Sequence, residues 1–257
     1  MLKIDRQNFI MNELKNEGSI LISNLSDSLN CHEETIRRDL KELESIGKLK
    51  RIHGGAYLPD YSDRSVPIDL RTSFFKEEKR EMAQIALSFI SPGDTIMLDS
   101  STTCLQLAQA ILDSQITVTL ITNSLRICVL CDSNKKGNAT LVCAGGQLRK
   151  KTSSFVGYKT TDMISSNFAN IAFLSNPAIN IKYGLTDNNL NEANVRKCML
   201  EHSKQHIFLM DHTKFSKTSS NVFGQISDMD ILITNKKLNK DWETILQEKE
   251  VRFHYTC

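Results

Sequence analysis

The chain has 257 residues, of which 40% are hydrophobic and 24% charged, and its formal net charge is +2 at pH 7. This composition is typical of a folded globular protein with a sizeable core and excludes a disordered chain. A near-neutral total charge does not indicate a polyanionic partner, so such a partner has to be argued from where the basic residues lie.

Membrane and redox functions are also disfavoured. No apolar run approaches the roughly 18 residues of a membrane span, and residues 1–18 lack the apolar segment of a secretory signal. The seven cysteines are irregularly spaced, as reduced thiols are. Cys128 and Cys131 form a C-x-x-C without a second pair, and an apolar helix is favoured there over redox or zinc chemistry. We expect a cytoplasmic protein without a metal or cofactor.

The first segment of the chain predicts three helices. Apolar residues at helical spacing indicate one helix around Phe9–Leu14 and a shorter one over about Ser23–Leu29. A turn through Asn30–His32 leads into a third helix, which carries polar and basic residues at its start. Two short helices joined by a tight turn are typical of a helix-turn-helix, whose second helix enters the major groove of DNA.

The third helix is amphipathic. Ile36, Leu40 and Leu43 share one side and predict its buried face, with Gly47 on the same side. The polar and basic residues of the other faces are Glu34, Thr35, Arg37, Arg38, Lys41 and Ser45. An isolated helix of this kind is more often a solvated surface than a DNA reader.

The segment after the third helix changes that balance. "KLKRIHGGAYL" alternates around Gly54-Gly55 and predicts a β-hairpin wing. Its basic residues are Lys48, Lys50, Arg51 and His53. A wing and a preceding helix together favour a winged helix-turn-helix over a solvated helix.

The stretch "EETIRRDLKELESIGKLKRIHGGA" resembles the N-terminal signature of the DeoR family of bacterial sugar-metabolism repressors. The resemblance implies that Thr35, Arg37 and Arg38 face DNA and that three wing residues follow its backbone. With Lys41 from the exposed face, the predicted DNA-binding residues are Thr35, Arg37, Arg38, Lys41, Lys50, Arg51 and His53. The family usually has a capping serine where this chain has His32, so the helix start is expected to depend on Asn30 or Glu33.

Residues 58–73 hold two of the four prolines and show no period, which predicts a linker with little structure of its own. The predicted domains are therefore residues 1–57 and 74–257. The second begins with a helix pattern from Phe74 that stops at Ser91-Pro92-Gly93.

Six apolar segments alternate with helical stretches in the second domain. Continuous aliphatic and β-branched runs of this kind predict an α/β fold with an open, mostly parallel sheet, whose strand order the sequence leaves open. The predicted strands are residues 95–99, 116–122, 139–143, 171–175, 206–211 and 230–234.

Polar residues follow several of these strands. Ligands of open α/β sheets bind beyond the carboxyl ends of the strands, and hydroxyls and amides at helix N-termini suit a phosphate. Any one of Ser101, Thr102 and Ser124 reads as an ordinary N-cap. Four such strand ends together favour a pocket.

The resemblance to the DeoR family extends through "GDTIMLDSSTTCLQLAQAI", "TVTLITNS", "AGGQLRKKTSSFVG" and "FLMDHTKF" to the family's sensor domain, whose fold is similar to ribose-5-phosphate isomerase. It implies that the phosphate of an effector is bound by Ser101, Thr102, Thr103, Asn123 and Ser124. It also implies that Asp99 and Gly146 line the sugar and that Lys214 adds a positive charge. The chain departs from the family at Ser100-Ser101 and at Ser175-Asn176-Pro177.

An enzyme is the alternative. Asp99, Asp187, Lys197 and Asp211 are candidates for acid–base catalysis of enolisation, but they show no diagnostic spacing. We therefore predict a homo-oligomeric repressor that binds double-stranded operator DNA and is released by a phosphorylated sugar. A sugar-phosphate isomerase or deaminase with a DNA-binding appendage is the second interpretation.

Overall fold

The computed structural model describes residues 1–17, 19–52, 54–58, 68–134 and 137–256. Two compact units follow each other along the chain, Met1–Phe74 and Phe75–Cys257. Within the described ranges, none of the helices has both the length and the apolar character needed to cross a membrane.

The first unit contains the predicted helices and the predicted hairpin. Its elements are α1 (Lys3–Glu17), β1 (Ser19–Leu21), α2 (Ile22–Leu29), α3 (Glu33–Ser45), β2 (Lys50–Ile52), β3 (Gly55–Tyr57) and α4 (Ile68–Ser73). The strands form an antiparallel sheet in the order β1-β3-β2, to which β1 adds a strand that the sequence analysis did not predict.

The linker prediction is wrong in one part. Residues 68–73, expected to have little structure, form α4. The first unit ends at Phe74, one residue beyond the predicted linker. Thr72 donates its hydroxyl hydrogen to the backbone oxygen of Ile68, a hydrogen bond within this short helix. The remaining part of the predicted linker, residues 59–67, lies outside the described residues.

The core of the first unit follows the predicted helical face. Ile36, Leu40 and Leu43 are buried together with apolar residues of α1, α2 and the sheet. Gly47 is an exception, because it is exposed beyond the end of α3 with φ +74°. The Lys48 amide donates to the Leu43 oxygen over 3.0 Å, as in a Schellman cap, so Gly47 ends the helix instead of continuing its buried face.

A buried ion pair joins α1 to α3. Arg6 donates to both carboxylate oxygens of Asp39, whose side chain is almost fully buried. The hydrogen bond to Asp39 raises the pKa of Arg6, although burial acts in the opposite direction. A bidentate pair of this kind fixes the orientation of α3 on the rest of the unit.

The second unit is built from six α-helices, two short 3-10 helices and twelve strands within the described residues. The helices are α5 (Lys76–Leu87), α6 (Thr102–Ser114), α7 (Leu125–Ser133), α8 (Tyr158–Ser165), α9 (Leu190–Glu201) and α10 (Lys240–Glu248). The strands are β4 (Thr95–Leu98), β5 (Val118–Thr122), β6 (Ala139–Cys143), β7 (Gln147–Arg149), β8 (Ser154–Val156), β9 (Ala169–Leu174), β10 (Ala178–Asn180), β11 (Gly184–Asp187), β12 (Ser203–Leu209), β13 (Asn221–Gly224), β14 (Ile231–Thr234) and β15 (Arg252–Tyr255).

Seven of these strands form the main sheet, in the order β15-β14-β12-β9-β4-β5-β6, and every pair in it is parallel. The α/β prediction is confirmed, and all six predicted strands are present. The seventh, β15, was missed because its sequence, RFHY, alternates basic with aromatic residues instead of forming an apolar run.

The apolar strands are buried on both faces. Successive residues of β4 enter different hydrophobic clusters: Met97 packs into one, whereas Ile96 and Leu98 pack into the other. Because side chains alternate along a strand, a sheet covered on both sides requires the continuous apolar runs from which the strands were predicted.

The strand order contains one reversal of direction. From β4 the chain adds β5 and β6 on one side, and it then returns to add β9, β12, β14 and β15 on the other. The carboxyl ends of β4 and β9 therefore flank the topological switch point, where open α/β sheets form their ligand crevice.

Candidate functional site

The start of α3 has no side-chain cap. His32 occupies the N-cap position, and its side chain accepts no capping hydrogen bond. Asn30 instead ends α2 in the left-handed conformation, at φ 45°. The first turn of α3 carries Glu33 and Glu34, which interact favourably with the positive end of the helix dipole.

The predicted DNA-facing arginines of α3 are exposed and paired with these acids. Arg37 lies 2.7 Å from Glu33, with 46% of its side chain exposed. Arg38 lies 3.6 Å from Glu34, with 77% of its side chain exposed. Lys41 is exposed and Thr35 half-buried. The structure thus presents an accessible row of donors along one side of α3.

The wing is attached to the end of α3. Glu44 accepts hydrogen bonds from the backbone amide and from Nε of Arg51, both over 2.7 Å. These bonds lower the pKa of Glu44, so this carboxylate is ionised at neutral pH. Lys50 is exposed, and His53 lies outside the described residues.

A cavity of about 280 Å³ lies between α3 and the wing. Its lining residues are Ile22, Arg37, Leu40, Glu44, Arg51, Gly54 and Gly55. Two arginines and one glutamate therefore line the cleft between the two elements that a winged helix-turn-helix applies to DNA.

In the second unit, the predicted effector residues lie at the carboxyl ends of adjacent strands. Ser101 follows β4 and caps α6 by accepting the Cys104 amide over 3.0 Å. Ser124 follows β5 and caps α7 by accepting the Ile127 amide over 3.3 Å. Since β4 and β5 are neighbours, two helix N-termini open side by side at this edge.

The same edge is covered by the β7–β8 hairpin. The side-chain Nδ2 of Asn123 donates to the backbone oxygen of Phe155 over 2.9 Å, and Ser124 forms an isolated β-bridge with Ser154. Thr102, Thr103, Asn123 and Ser124 are all buried. The structure brings the predicted phosphate-binding residues together and encloses most of them.

Gly146 and Lys214 complete the predicted set. Gly146 is exposed with φ +153°, and a Cβ there would lie 3.0 Å from the Val156 oxygen, so the position requires glycine. Lys214 follows β12 with its ammonium 3.9 Å from the carboxylate of Asp211. Lys214 therefore lies beyond a strand on the other side of the switch point.

A buried arginine at the switch point was not predicted from the sequence. Arg196 of α9 has 8% of its side chain exposed, and its Nε donates over 3.0 Å both to Asp99 and to the Ser175 oxygen. A second nitrogen of the same side chain lies 2.5 Å from Asp187. Asp99 also accepts the Ser175 amide over 2.9 Å, so the ends of β4 and β9 are tied together.

Glu192 extends this network to the hairpin. It accepts the hydroxyls of Thr152 and Ser154 over 2.8 and 2.6 Å, and Arg149 lies 3.5 Å from it. The carboxylate of Glu192 also lies 3.9 Å from the guanidinium of Arg196, which follows it by one turn of α9. We call Asp99, Asp187, Glu192 and Arg196 the switch-point network.

Burial and charge act against each other in the switch-point network. Burial raises the pKa of Asp187, whereas Arg196 lowers it. Burial lowers the pKa of Arg196, but Asp187, Asp99 and Glu192 raise it, and the net shift is upward. The three carboxylates therefore hold the guanidinium in its charged form.

A sequence signal for this network exists. Glu192, Val195, Arg196 and Met199 have the spacing of one helical face. Two charges on a face that also carries buried apolar residues indicate a buried ion pair, because an unpaired buried charge is too costly.

The residues considered for acid–base catalysis are not assembled. Asp99 and Asp187 are both held by Arg196. Lys197 points away, with 61% of its side chain exposed and its ammonium 3.9 Å from Glu201. Asp211 accepts the Thr213 amide over 2.9 Å as the cap of a short 3-10 helix.

The C-x-x-C cysteines are free thiols on α7, both half-buried. Burial raises the pKa of Cys131, and it raises the pKa of Cys128 to about 12 with a contribution from Cys143. Across the part of the chain that the structure describes, no group of three or more His, Cys, Asp or Glu residues is placed to hold a metal ion.

Two family descriptions match the chain. Residues 6–61 match the DeoR-like helix-turn-helix domain and residues 75–236 the DeoR C terminal sensor domain. Among solved structures, ribose 5-phosphate isomerase A of Methanocaldococcus jannaschii is 16% identical, with a TM-score of 0.40 over 55% of each chain. The translation initiation factor eIF-2B of Pyrococcus horikoshii is 15% identical, with a TM-score of 0.42 over 86% of this chain and 69% of its own.

Curated relatives match nearly the whole chain. The HTH-type transcriptional regulator YulB of Bacillus subtilis is 32% identical over 98% of this chain and 96% of its own. The lactose phosphotransferase system repressor of Staphylococcus epidermidis is 31% identical over 95% of both chains. The L-fucose operon activator of Escherichia coli is 30% identical over 92% of this chain and 96% of its own. The chain is a DNA-binding transcriptional regulator and belongs to the DeoR family.

Proposed function

We propose that this regulator represses a carbohydrate-catabolism operon in the cytoplasm and is released from its operator by a phosphorylated sugar. In this proposal α3 and the wing bind DNA, and the carboxyl edge of the main sheet binds the effector. The protein is not an enzyme, and no observation favours the isomerase or deaminase interpretation.

One observation carries the choice of a phosphorylated effector. The N-termini of α6 and α7 open beside each other at the ends of β4 and β5, each capped by a serine. Helix N-termini stabilise anions through their free amides and the helix dipole. Lys214, beyond β12, supplies a positive charge for the same anion.

The relatives support the choice of a sugar operon. One is a lactose phosphotransferase system repressor and another an L-fucose operon activator. The first relative is named as a repressor and the second as an activator. We choose repression, and transcription from the operator in the presence and absence of the sugar phosphate tests it.

We also propose that the regulator acts as a homo-oligomer. One recognition helix covers only a few base pairs, and helix-turn-helix proteins gain specificity by presenting two copies to half-sites about one DNA turn apart. Sedimentation of the full chain with and without operator DNA measures this directly.

Calorimetry with a panel of sugar phosphates and their dephosphorylated forms tests the effector site. We expect binding of the phosphorylated forms only, and we expect Lys214→Ala to weaken it by about tenfold or more, the effect of one charge-assisted hydrogen bond. Lys217→Ala removes a charge from the exposed Lys217 in the same loop and is the matched control.

Equal binding of phosphorylated and free sugars, or full affinity in Lys214→Ala, would contradict the effector proposal. Turnover of ribose, glucosamine or tagatose phosphates by the purified chain would favour the enzyme interpretation instead.

A further inference from the structure

We infer that Glu33, Glu34 and Glu44 are specificity-determining residues that suppress binding to DNA of unrelated sequence. Each glutamate pairs with an arginine of the DNA-facing surface until a base of the correct sequence takes the place of the glutamate. The inference rests on the proposed assignment of α3 and the wing to DNA.

The three described arginines of that surface share one feature, which is a carboxylate partner. Arg37 lies 2.7 Å from Glu33 and Arg38 lies 3.6 Å from Glu34, each pair one turn apart with the acid nearer the helix start. This order of charges agrees with the helix dipole. Arg51 is held by Glu44 through two contacts of 2.7 Å.

The lysines of the same surface differ. Lys41 and Lys50 are exposed, and neither has a carboxylate partner among the described residues. Over residues 1–56, nine basic residues are balanced by nine acidic ones, so the DNA-binding segment has no net charge. A DNA-binding domain usually carries a basic excess, because neutralising phosphates supplies most of its affinity for any sequence.

The cavity between α3 and the wing shows how the acids act. Arg37, Arg51 and Glu44 line the same cavity, so a phosphate that approaches either arginine there also approaches a carboxylate. Like charges brought together suppress incorrect partners. On unrelated DNA the attraction of each arginine is therefore largely cancelled by its partner.

The operator is different because it offers base edges. An arginine binds guanine through two parallel hydrogen bonds, which an exposed ion pair does not match in strength. The correct sequence therefore releases the arginine from its glutamate, and an incorrect one does not. The lysines contribute equally in both cases.

The test compares two duplexes of equal length and composition: one selected from a random library by the wild-type chain, and a shuffled version of it. Binding of the full-length Glu33→Gln/Glu34→Gln variant to both is measured across a salt titration. We expect several-fold tighter binding to the shuffled duplex, a salt slope steeper by about two units, and a smaller gain on the selected duplex. Glu44→Gln should act in the same direction, with a steepening of about one unit.

Asp5→Asn/Glu13→Gln, which removes two carboxylates from α1, is the matched control and should leave the ratio of the two affinities unchanged. The inference fails if the glutamate variants leave shuffled-duplex binding unchanged, or if they alter both affinities by the same factor. It also fails if operator binding falls most, since the glutamates would then contact bases themselves. Arg38→Ala, measured in parallel, reports on the DNA-facing assignment: unchanged operator binding would refute that assignment instead.

Discussion

The two units of this regulator use arginine in opposite ways. Arg38 of α3 is largely exposed beside one glutamate, whereas Arg196 of α9 is buried among three carboxylates. An exposed pair is worth little and exchanges its partner readily. A buried charge stays with its partners, because removing one of them leaves the others uncompensated. The first arrangement suits recognition of a changing partner, and the second suits holding strands in place.

The largest expected effect comes from breaking the buried arrangement. Arg196→Met leaves Asp99, Asp187 and Glu192 without their central cation, and we expect the second unit to lose about 3–5 kcal/mol of unfolding free energy. Urea denaturation of the full chain measures this. Lys197→Met is the control on the same helix and should change stability by no more than about 0.5 kcal/mol. Equal stability of the two variants would mean that the network does not depend on its charge.

The exposed arrangement is tested on DNA. Arg38→Ala should weaken operator binding by about 1–3 kcal/mol and relax base preference at one position, because a base-edge contact is lost. Fluorescence anisotropy with operator variants reports both effects. Unfolding stability should change by less than about 0.5 kcal/mol, in contrast to Arg196→Met.

Lys50→Ala is the companion to Arg38→Ala. A lost phosphate contact weakens specific and unrelated DNA alike and reduces the salt slope by about one unit. If neither variant alters operator binding, α3 and the wing do not bind DNA as proposed.

A smaller effect is expected at the start of α3. His32→Ser adds a hydroxyl acceptor at an N-cap that lacks one, and we expect the first unit to gain about 1 kcal/mol of unfolding free energy. His32→Ala, which offers no acceptor, is the comparison, and hydrogen exchange at the first amides of α3 measures the gain. A loss of stability in His32→Ser would indicate a contact made by the histidine ring.

The smallest effects concern the pH dependence of the unfolding free energy. The contributions of Asp187 in the switch-point network and of Glu44 beside the wing should change with pH in opposite directions. The pKa of Asp187 is raised in the folded state. Its contribution to the unfolding free energy is therefore present at low pH and is lost as pH rises through that raised pKa. The pKa of Glu44 is lowered in the folded state. Its contribution to the unfolding free energy is therefore present above the ordinary pKa of glutamate and is lost as pH falls through the lowered pKa.

Unfolding free energies of wild type, Asp187→Asn and Glu44→Gln, measured across this acidic range, separate the two contributions. Each variant should lose only its own part of the pH dependence. An Asp187→Asn variant with the full wild-type profile would show that this carboxylate does not titrate as described.

Features set by neighbouring residues were predictable from the sequence. The helix-turn-helix, the wing and six parallel strands all follow from apolar periods and turn residues within short windows. β15 was not predictable in this way, because its sequence, RFHY, alternates basic with aromatic residues and none of its residues is fully buried.

Contacts between distant residues were the harder part. Asp99 and Arg196 are 97 positions apart, and nothing in the segment around Asp99 indicates an arginine. Asp99 was therefore predicted to line a sugar, a role that stays a prediction, while its contacts with Arg196 and Ser175 were missed. The serine N-caps at Ser101 and Ser124 were found because a cap depends only on the next few residues.

Gly47 shows how one backbone torsion sets the direction in which the chain leaves α3. Its φ of +74° turns the chain out of α3 toward β2, and a Cβ there would meet nothing within 4 Å. Gly47→Ala would therefore create no clash, only a left-handed backbone that costs about 1–2 kcal/mol for residues with a side chain. Relieving that strain would rotate the wing relative to the helix. If α3 and the wing bind DNA as proposed, the angle at Gly47 sets the distance between the groove that α3 would enter and the DNA backbone that the wing would follow.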